Sequence, residues 1–169
     1  GCQKNLRQCE IAWGNGGNSM IAYGMYRHGK PWSCRFGDGI INAILGLEDR
    51  GFLVPEGPLA GSWINAYEAL SGKFTDHYGG QQVFLPDQGY VNYFLGLCWL
   101  EGLNRDSRIP EAVRVNCEKF LLPVFRRFGK RIPNAFQPDG TPGYSREGVL
   151  YDFPNAPGIA LSAASFAIL

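Results

Sequence analysis

Histidine is scarce in this sequence: there are two, far apart, and no Cys-x-x-Cys accompanies them. That excludes a structural zinc set, so neither a metal nor a cofactor is expected. Long apolar runs are missing as well. Nothing approaches the ~18 consecutive apolar residues of a membrane-spanning helix. Excess charge of either sign is also lacking, with 16 Lys and Arg against 15 Asp and Glu, a net charge of +1. The electrostatic footprint of a nucleic-acid or anionic-membrane binder is therefore absent. The densest basic run, "RRFGKR" (Arg126 to Arg131), reads as a solvated helix end rather than a phosphate track.

The chain opens Gly-Cys rather than with Met, which marks a processed end, an engineered remnant or a cut through something longer. A lipoprotein would mature at a cysteine such as Cys2, but nothing upstream supports that. Five cysteines is an odd number, so at least one is unpaired or bonds outside the chain. Cys2 and Cys9 could close a small N-terminal loop. Cys98 and Cys117 fall within helical patterns, where cysteine behaves as a small buried hydrophobe. The cysteines lean towards a secreted or extracytoplasmic location without fixing the compartment.

What the chain does have is apolar content: 45% hydrophobic and only 18% charged residues over 169 positions. That suits one folded domain, residues 1–169, burying roughly 70% of its unfolded surface. Six helical segments are expected and little strand, an all-α fold. The first is "NSMIAYGMYR", capped by Asn18 or Ser19. The second starts at Asp38, with Ile40, Ile41, Ile44, Leu45 and Leu47 as its apolar face. The third starts at Ser62 and carries Trp63, Ile64, Tyr67 and Leu70. The fourth starts at Asp87 and is apolar nearly all round. The fifth has Pro110 in its first turn, an apolar stripe of Val113, Cys117, Phe120, Leu121, Val124 and Phe125, and a kink at Pro123. The sixth is "NAPGIALSAASFAIL", capped by Asn155.

The second, fourth and sixth segments suit burial on most sides, whereas the third and fifth have a polar face. Strict alternation of inner and outer helices describes antiparallel helical hairpins packed side by side. The loops into the inner helices are the longer ones and would emerge at one end. Each begins alike, "HGK" at 28, "SGK" at 71 and "FGK" at 128, with glycine ending the outer helix. Each ends at a capping residue, Asp38, Asp87 or Asn155. The last loop, about 28 residues without evident regular structure, exceeds the usual ~12–15-residue ceiling and so invites a functional reading.

The first loop contributes Trp32, Cys34, Arg35 and Asp38 to this face. The second brings Asp76, His77, Tyr78, Gln81, Gln82 and Asp87. The third brings Asp139, Tyr144, Arg146, Glu147, Tyr151 and Asp152. Aromatic rings beside carboxylates, amides and Arg suit a sugar: rings stack on its apolar faces and the polar groups bind its hydroxyls. Two carboxylates flanking a glycosidic bond would supply acid and base, or acid and nucleophile. Asp38 and Asp87 are the expected base or nucleophile, because a helix N-terminus lowers a carboxylate's pKa, and Glu147 is the expected acid. Trp32, Arg35, His77, Gln82, Tyr144 and Asp152 are the expected substrate-binding groups. The plain alternative is that Asp38 and Asp87 serve only as helix caps.

Inner segments opening on Gly-containing turns ("FGDGIINAIL", "PDQGYVNYFLGL", "NAPGIALSAASFAIL"), alternating with amphipathic outer ones, resemble the α/α-toroid superfamily. That superfamily includes six-hairpin glycosidases and polysaccharide lyases, lanthionine-synthetase-like cyclases and terpene cyclases. The resemblance extends from about Asn18 and implies a site at the inner-helix N-terminal end. The cyclase zinc signature and the Asp-rich diphosphate motif are missing. Three hairpins make half of a six-hairpin ring, which implies a larger toroid or a partner subunit covering the open edge. The expected function is thus a glycoside hydrolase or lyase acting on an oligosaccharide or small-molecule ligand. Two rivals stand beside it. One is a cysteine peptidase or amidase with Cys34 as nucleophile and His77 as base; the other is a non-catalytic binding or interaction module.

Overall fold

The computed structural model describes residues 14–46, 51–64, 66–68, 73–75, 83–129, 132–133 and 135–142. Over these residues the fold is mainly helical, in keeping with the helical class expected. Helix α1 (Gly14–His28) is followed by α2 (Pro31–Leu45) and by two short strands, β1 (Ala66–Glu68) and β2 (Lys73–Thr75). Then come β3 (Val83–Phe84), α3 (Leu85–Leu100) and α4 (Arg108–Asn116), a π-helical turn at Cys117–Leu121, α5 (Leu122–Phe128) and β4 (Ala135–Phe136). No described helix is long and apolar enough to cross a membrane.

Helix α3 is the central element. It packs along α1 on one side and against α4 on another. α1 and α3 run in the same direction: Ser19 Oγ reaches Tyr90 O (3.4 Å), Tyr23 Oη donates to Glu101 Oε1 (2.8 Å) and Arg27 Nη1 to Glu101 Oε2 (2.9 Å). The core gathers Ala22 and Tyr26 from α1, Ile41 and Ile44 from α2, and Val91 and Leu95 from α3. Val113, Cys117, Phe120, Leu121 and Val124 add the expected stripe, all buried, with Phe125 packed at its edge. Pro123 acts as its chemistry requires. A proline has no N–H and its ring crowds the carbonyl four residues back; the helix widens just before it, with Leu122 N–H donating to Cys117 O, a five-residue step. Gly29 and Gly129 end α1 and α5 with positive φ (73° and 55°), as two of the three "GK" stops anticipate. The "SGK" stop and the sixth helix lie outside the described residues.

Three expectations are corrected. The third helix does not form at Ser62. Residues 52–64 fold back on themselves instead: Val54 N–H donates to Ser62 O (2.9 Å), Ile64 N–H donates to Phe52 O (2.8 Å), and Leu53 bridges Trp63 antiparallel. β1 and β2 then pair antiparallel, Tyr67 opposite Phe74. The strict inner–outer alternation is therefore interrupted. The cause is a buried side chain. Gln88 Oε1 accepts from Trp63 N–H (2.6 Å), and Gln88 Nε2 donates to Trp63 O (2.8 Å) and to Phe84 O (3.1 Å). An amide that takes both backbone groups of Trp63 acts like a neighbouring strand and leaves neither group for a helix.

The second correction concerns the start of α2. It begins seven residues before Asp38, at Pro31, whose fixed φ and missing N–H suit a first helical position. Ser33 Oγ accepts from Lys30 N–H (3.1 Å), the reach-back half of a capping box, and donates to Lys30 O (2.8 Å). "PWSCRF" is therefore helix, not loop, and Asp38 is not a cap. The third correction is in the long last loop, where Ala135–Phe136 pairs with Val83–Phe84 and anchors that stretch at the start of α3.

The amide contacts extend into a closed network. Trp63 Nε1 donates to Asn92 Oδ1 (2.8 Å), and Asn92 Nδ2 donates to Asn116 Oδ1 (2.7 Å). Asn116 Nδ2 donates to Gly61 O (2.8 Å) and Gln88 Oε1 (2.9 Å). Gln88, Asn92 and Asn116 are fully buried and Trp63 nearly so. Gly61, at φ 82°, sits so close to Lys119 that an added Cβ would lie 2.7 Å from the lysine Cβ, so only glycine brings its carbonyl within reach of Asn116. Gln88→Leu keeps the bulk but strips the partners from Trp63 N–H, Trp63 C=O and Asn116. Urea denaturation should show a loss of about 3–5 kcal/mol. A loss under about 1 kcal/mol would mean the network is incidental.

Candidate functional site on helix α2

α2 buries Ser33, Gly37, Ile41 and Ile44 on one face and leaves the opposite face open. On that open face stand Trp32 and Phe36, 57% and 56% exposed, with Arg35, Gly39 and Ala43 exposed beside them. Two large rings one turn apart on a rigid helix, their Cβ atoms about 6 Å apart by helix geometry, form a continuous aromatic strip. Such exposure makes the strip the candidate surface on this helix. Trp32 is steadied by His28, whose ring centroid lies 5.3 Å away. His28 Nδ1 in turn lies 3.1 Å from Ser33 Oγ.

Asp38, two positions after Phe36, is turned roughly 160° away from it around the helix, towards α1. Its Oδ1 accepts from Tyr26 Oη at 2.6 Å, and Asn104 Nδ2 donates to Tyr26 Oη (2.8 Å) and reaches Asp38 Oδ1 at 3.4 Å. Burial, with the Asp38 carboxylate second, holds the Tyr26 phenol well above its ordinary range. Tyr26 is therefore a fixed donor that orients the carboxylate. Gly37 makes this possible: a Cβ there would lie 3.1–3.3 Å from the Tyr26 ring.

Asp87 occupies the third position of α3 rather than its cap. Burial pushes its carboxyl up to about 6, outweighing the helix dipole that the sequence reading expected to lower it. The structure does not bring Asp38 and Asp87 together. Asp38 meets Asn104, whose N–H donates to Cys98 O near the end of α3, whereas Asp87 is in the first turn. Roughly 16 Å of helix separates Asp87 from Cys98. Two carboxylates at opposite ends of a helix do not flank one bond. Glu147, His77, Gln82, Tyr144 and Asp152 lie outside the described residues.

Cys34 is inside the first turn of α2, not ahead of it, and is half-buried against the core. Cys98 and Cys117 are buried, as expected, and burial pushes the Cys98 thiol up to about 12. Among the described residues no three His, Cys, Asp or Glu side chains converge on a possible metal position. An open cleft of about 410 Å³ lies over Leu45, Leu53, Trp63, Ala112 and Val115, with Ser107, Arg108 and Glu111 at its rim. Its charges are already engaged. Arg108 pairs with Asp106 and donates to Gly46 O (2.7 Å) and Asn42 Oδ1 (2.8 Å), tying the end of α2 to the start of α4. Glu111 pairs with Arg114.

The sequence reading nominated Trp32, Arg35 and Asp38 but missed Phe36, Tyr26 and Asn104. The signal for Phe36 was its i, i+4 spacing from Trp32. Tyr26 and Asn104 are far from Asp38 in sequence and offered none. Comparison with protein-family models, curated proteins and solved structures gives no match.

The raised Asp87 pKa carries a pH consequence. The folded state holds its proton more tightly than the unfolded chain, so this stabilisation is complete below about pH 4 and is lost as pH rises through about 6. Asp87→Asn should therefore match the parent near pH 4 and exceed it at pH 7.5, by on the order of 1–3 kcal/mol. Urea unfolding at the two pH values checks this. Equal stability of parent and variant at both would contradict it.

Proposed function

We propose that the protein is carbohydrate-active and binds its sugar along the open face of α2. The observation that carries this reading is the Trp32–Phe36 strip, held exposed on a rigid helix with Arg35 beside it. Rings of this kind offer flat apolar surfaces to the C–H faces of a sugar, while Arg35 binds hydroxyls. In a glycosidase- or lyase-type reaction, Asp38, held by Tyr26 on another side of α2, is the carboxylate assigned as base or nucleophile and Glu147 the acid. His77, Gln82, Tyr144 and Asp152 are assigned to binding. Asp87 is set apart from the chemistry by its position on α3.

The α/α-toroid resemblance belongs to this reading. The buried, apolar α3 supports it, and the folded-back segment at residues 52–64, in place of an outer helix, weighs against it. A second reading, a non-catalytic sugar-binding module, is favoured by the separation of Asp38 from Asp87.

One experiment addresses both: a panel of neutral and acidic oligosaccharides, assayed for binding and turnover. Trp32→Ala and Phe36→Ala should each weaken binding at least about tenfold with little change in thermal midpoint, because both rings are already largely in solvent. Asp38→Asn should abolish turnover under the first reading. Binding without any turnover by the parent chain selects the second. Binding indifferent to both ring deletions would overturn the α2 site.

A further inference from the structure

Arg35 is a cation that the fold leaves uncommitted. Arg27, Arg108 and Arg114 each pair with a carboxylate. Arg35 is exposed on α2 and has no ion-pair or hydrogen-bond partner among the described residues. No Asp or Glu falls between Glu10 and Asp38, a stretch that carries Arg27, Lys30 and Arg35. Asp38, the acid of α2, is turned to α1 and held there by Tyr26 and Asn104. Glu101 is held by Tyr23 and Arg27. A chain with nearly balanced charge thus keeps an uncompensated positive charge beside its exposed rings.

The position of that charge decides what it meets. Arg35 comes three residues after Trp32 and one before Phe36, on the flank of the strip, about 60° round the helix from Trp32. Gly39, one turn further on, leaves the flank open: nothing lies within 4 Å of where its Cβ would stand. A sugar stacked on an aromatic ring lies flat, and its equatorial substituents spread sideways. A side chain on the flank therefore meets a substituent rather than the sugar face. A guanidinium matches a planar carboxylate with two parallel charge-assisted hydrogen bonds and gains less from a hydroxyl. We infer that the sugar bound along α2 is a uronide, its carboxylate on Arg35 and its C–H face on Trp32 and Phe36. This rests on the sugar reading above and names its substrate class. Arg35 sets specificity and takes no part in bond cleavage.

Matched ligands test it: oligomers of galacturonate, glucuronate and mannuronate, each beside its methyl ester, which keeps the ring and removes the charge, with neutral glucose and galactose oligomers alongside. Titration calorimetry at low salt should show at least one acid bound about fivefold or more tighter than its ester, an advantage that shrinks as salt is raised. Arg35→Gln should erase that advantage and leave ester binding and the thermal midpoint unchanged, because the side chain has no partner in the fold to lose. Trp32→Ala should weaken acid and ester alike. Equal binding of acid and ester, or an advantage that survives Arg35→Gln, would overturn the inference while ring-dependent binding kept the sugar reading intact. Ring-dependent binding of the neutral oligomers alone would do the same. If no sugar binds, or binding ignores Trp32→Ala, the sugar reading falls and the inference falls with it.

Discussion

The hydrogen bonds from the Gln88 amide to the backbone of Trp63 are the constraint on which the rest of this fold depends. An amide buried without partners would cost several kcal/mol, and here every polar atom of Gln88 is used. Through Asn116 and Asn92 the same contacts reach α4, the π-helical turn and the Trp63 indole. Three segments distant in sequence, the 61–63 stretch, α3 and the end of α4, are held in one register. Apolar packing alone would tolerate sliding among them; a closed set of directional bonds does not.

That register determines where the functional side chains stand. With α3 fixed against α4, α1 lies along α3 through Tyr23, Arg27 and Glu101. α2 is tied down by Tyr26 over Gly37 and by Arg108 at its last turn. What remains unburied on α2 is the Trp32–Phe36 strip. Its exposure follows from the way α2 is clamped from one side, which leaves the opposite face to solvent.

Much of this could be read from residues. The helical class, the glycine stops at 29 and 129, the stripe from Val113 to Phe125 and the buried Cys98 and Cys117 all follow from local pattern. The misreadings have a common physical origin. Trp63, Ile64, Tyr67 and Leu70 have spacing compatible with a helix, and only the distant Gln88 decides against it. Gly37-Asp38-Gly39 looks like a helix start because glycine flanks a capping residue. The glycine is there instead to admit the Tyr26 ring, and the helix has already begun at Pro31. Placing Asp38 about two turns too early in its helix is what made Asp38 and Asp87 look like neighbours. Gln88, Asn92 and Asn116 did carry a signal: amides at i, i+4 within an apolar helix, and an amide inside an apolar stripe, need partners if buried.

The network makes one demand that can be measured at a single atom. If Gln88 holds the 61–63 stretch against α3, the Trp63 backbone amide is released only when the whole domain opens. Native-state hydrogen exchange, followed at Trp63 across a urea series, should give an opening free energy equal to global stability and a matching denaturant dependence. Exchange at Trp63 several kcal/mol easier than global unfolding, with little dependence on urea, would show that this segment opens on its own. The buried amides would then be passengers rather than the organising contact.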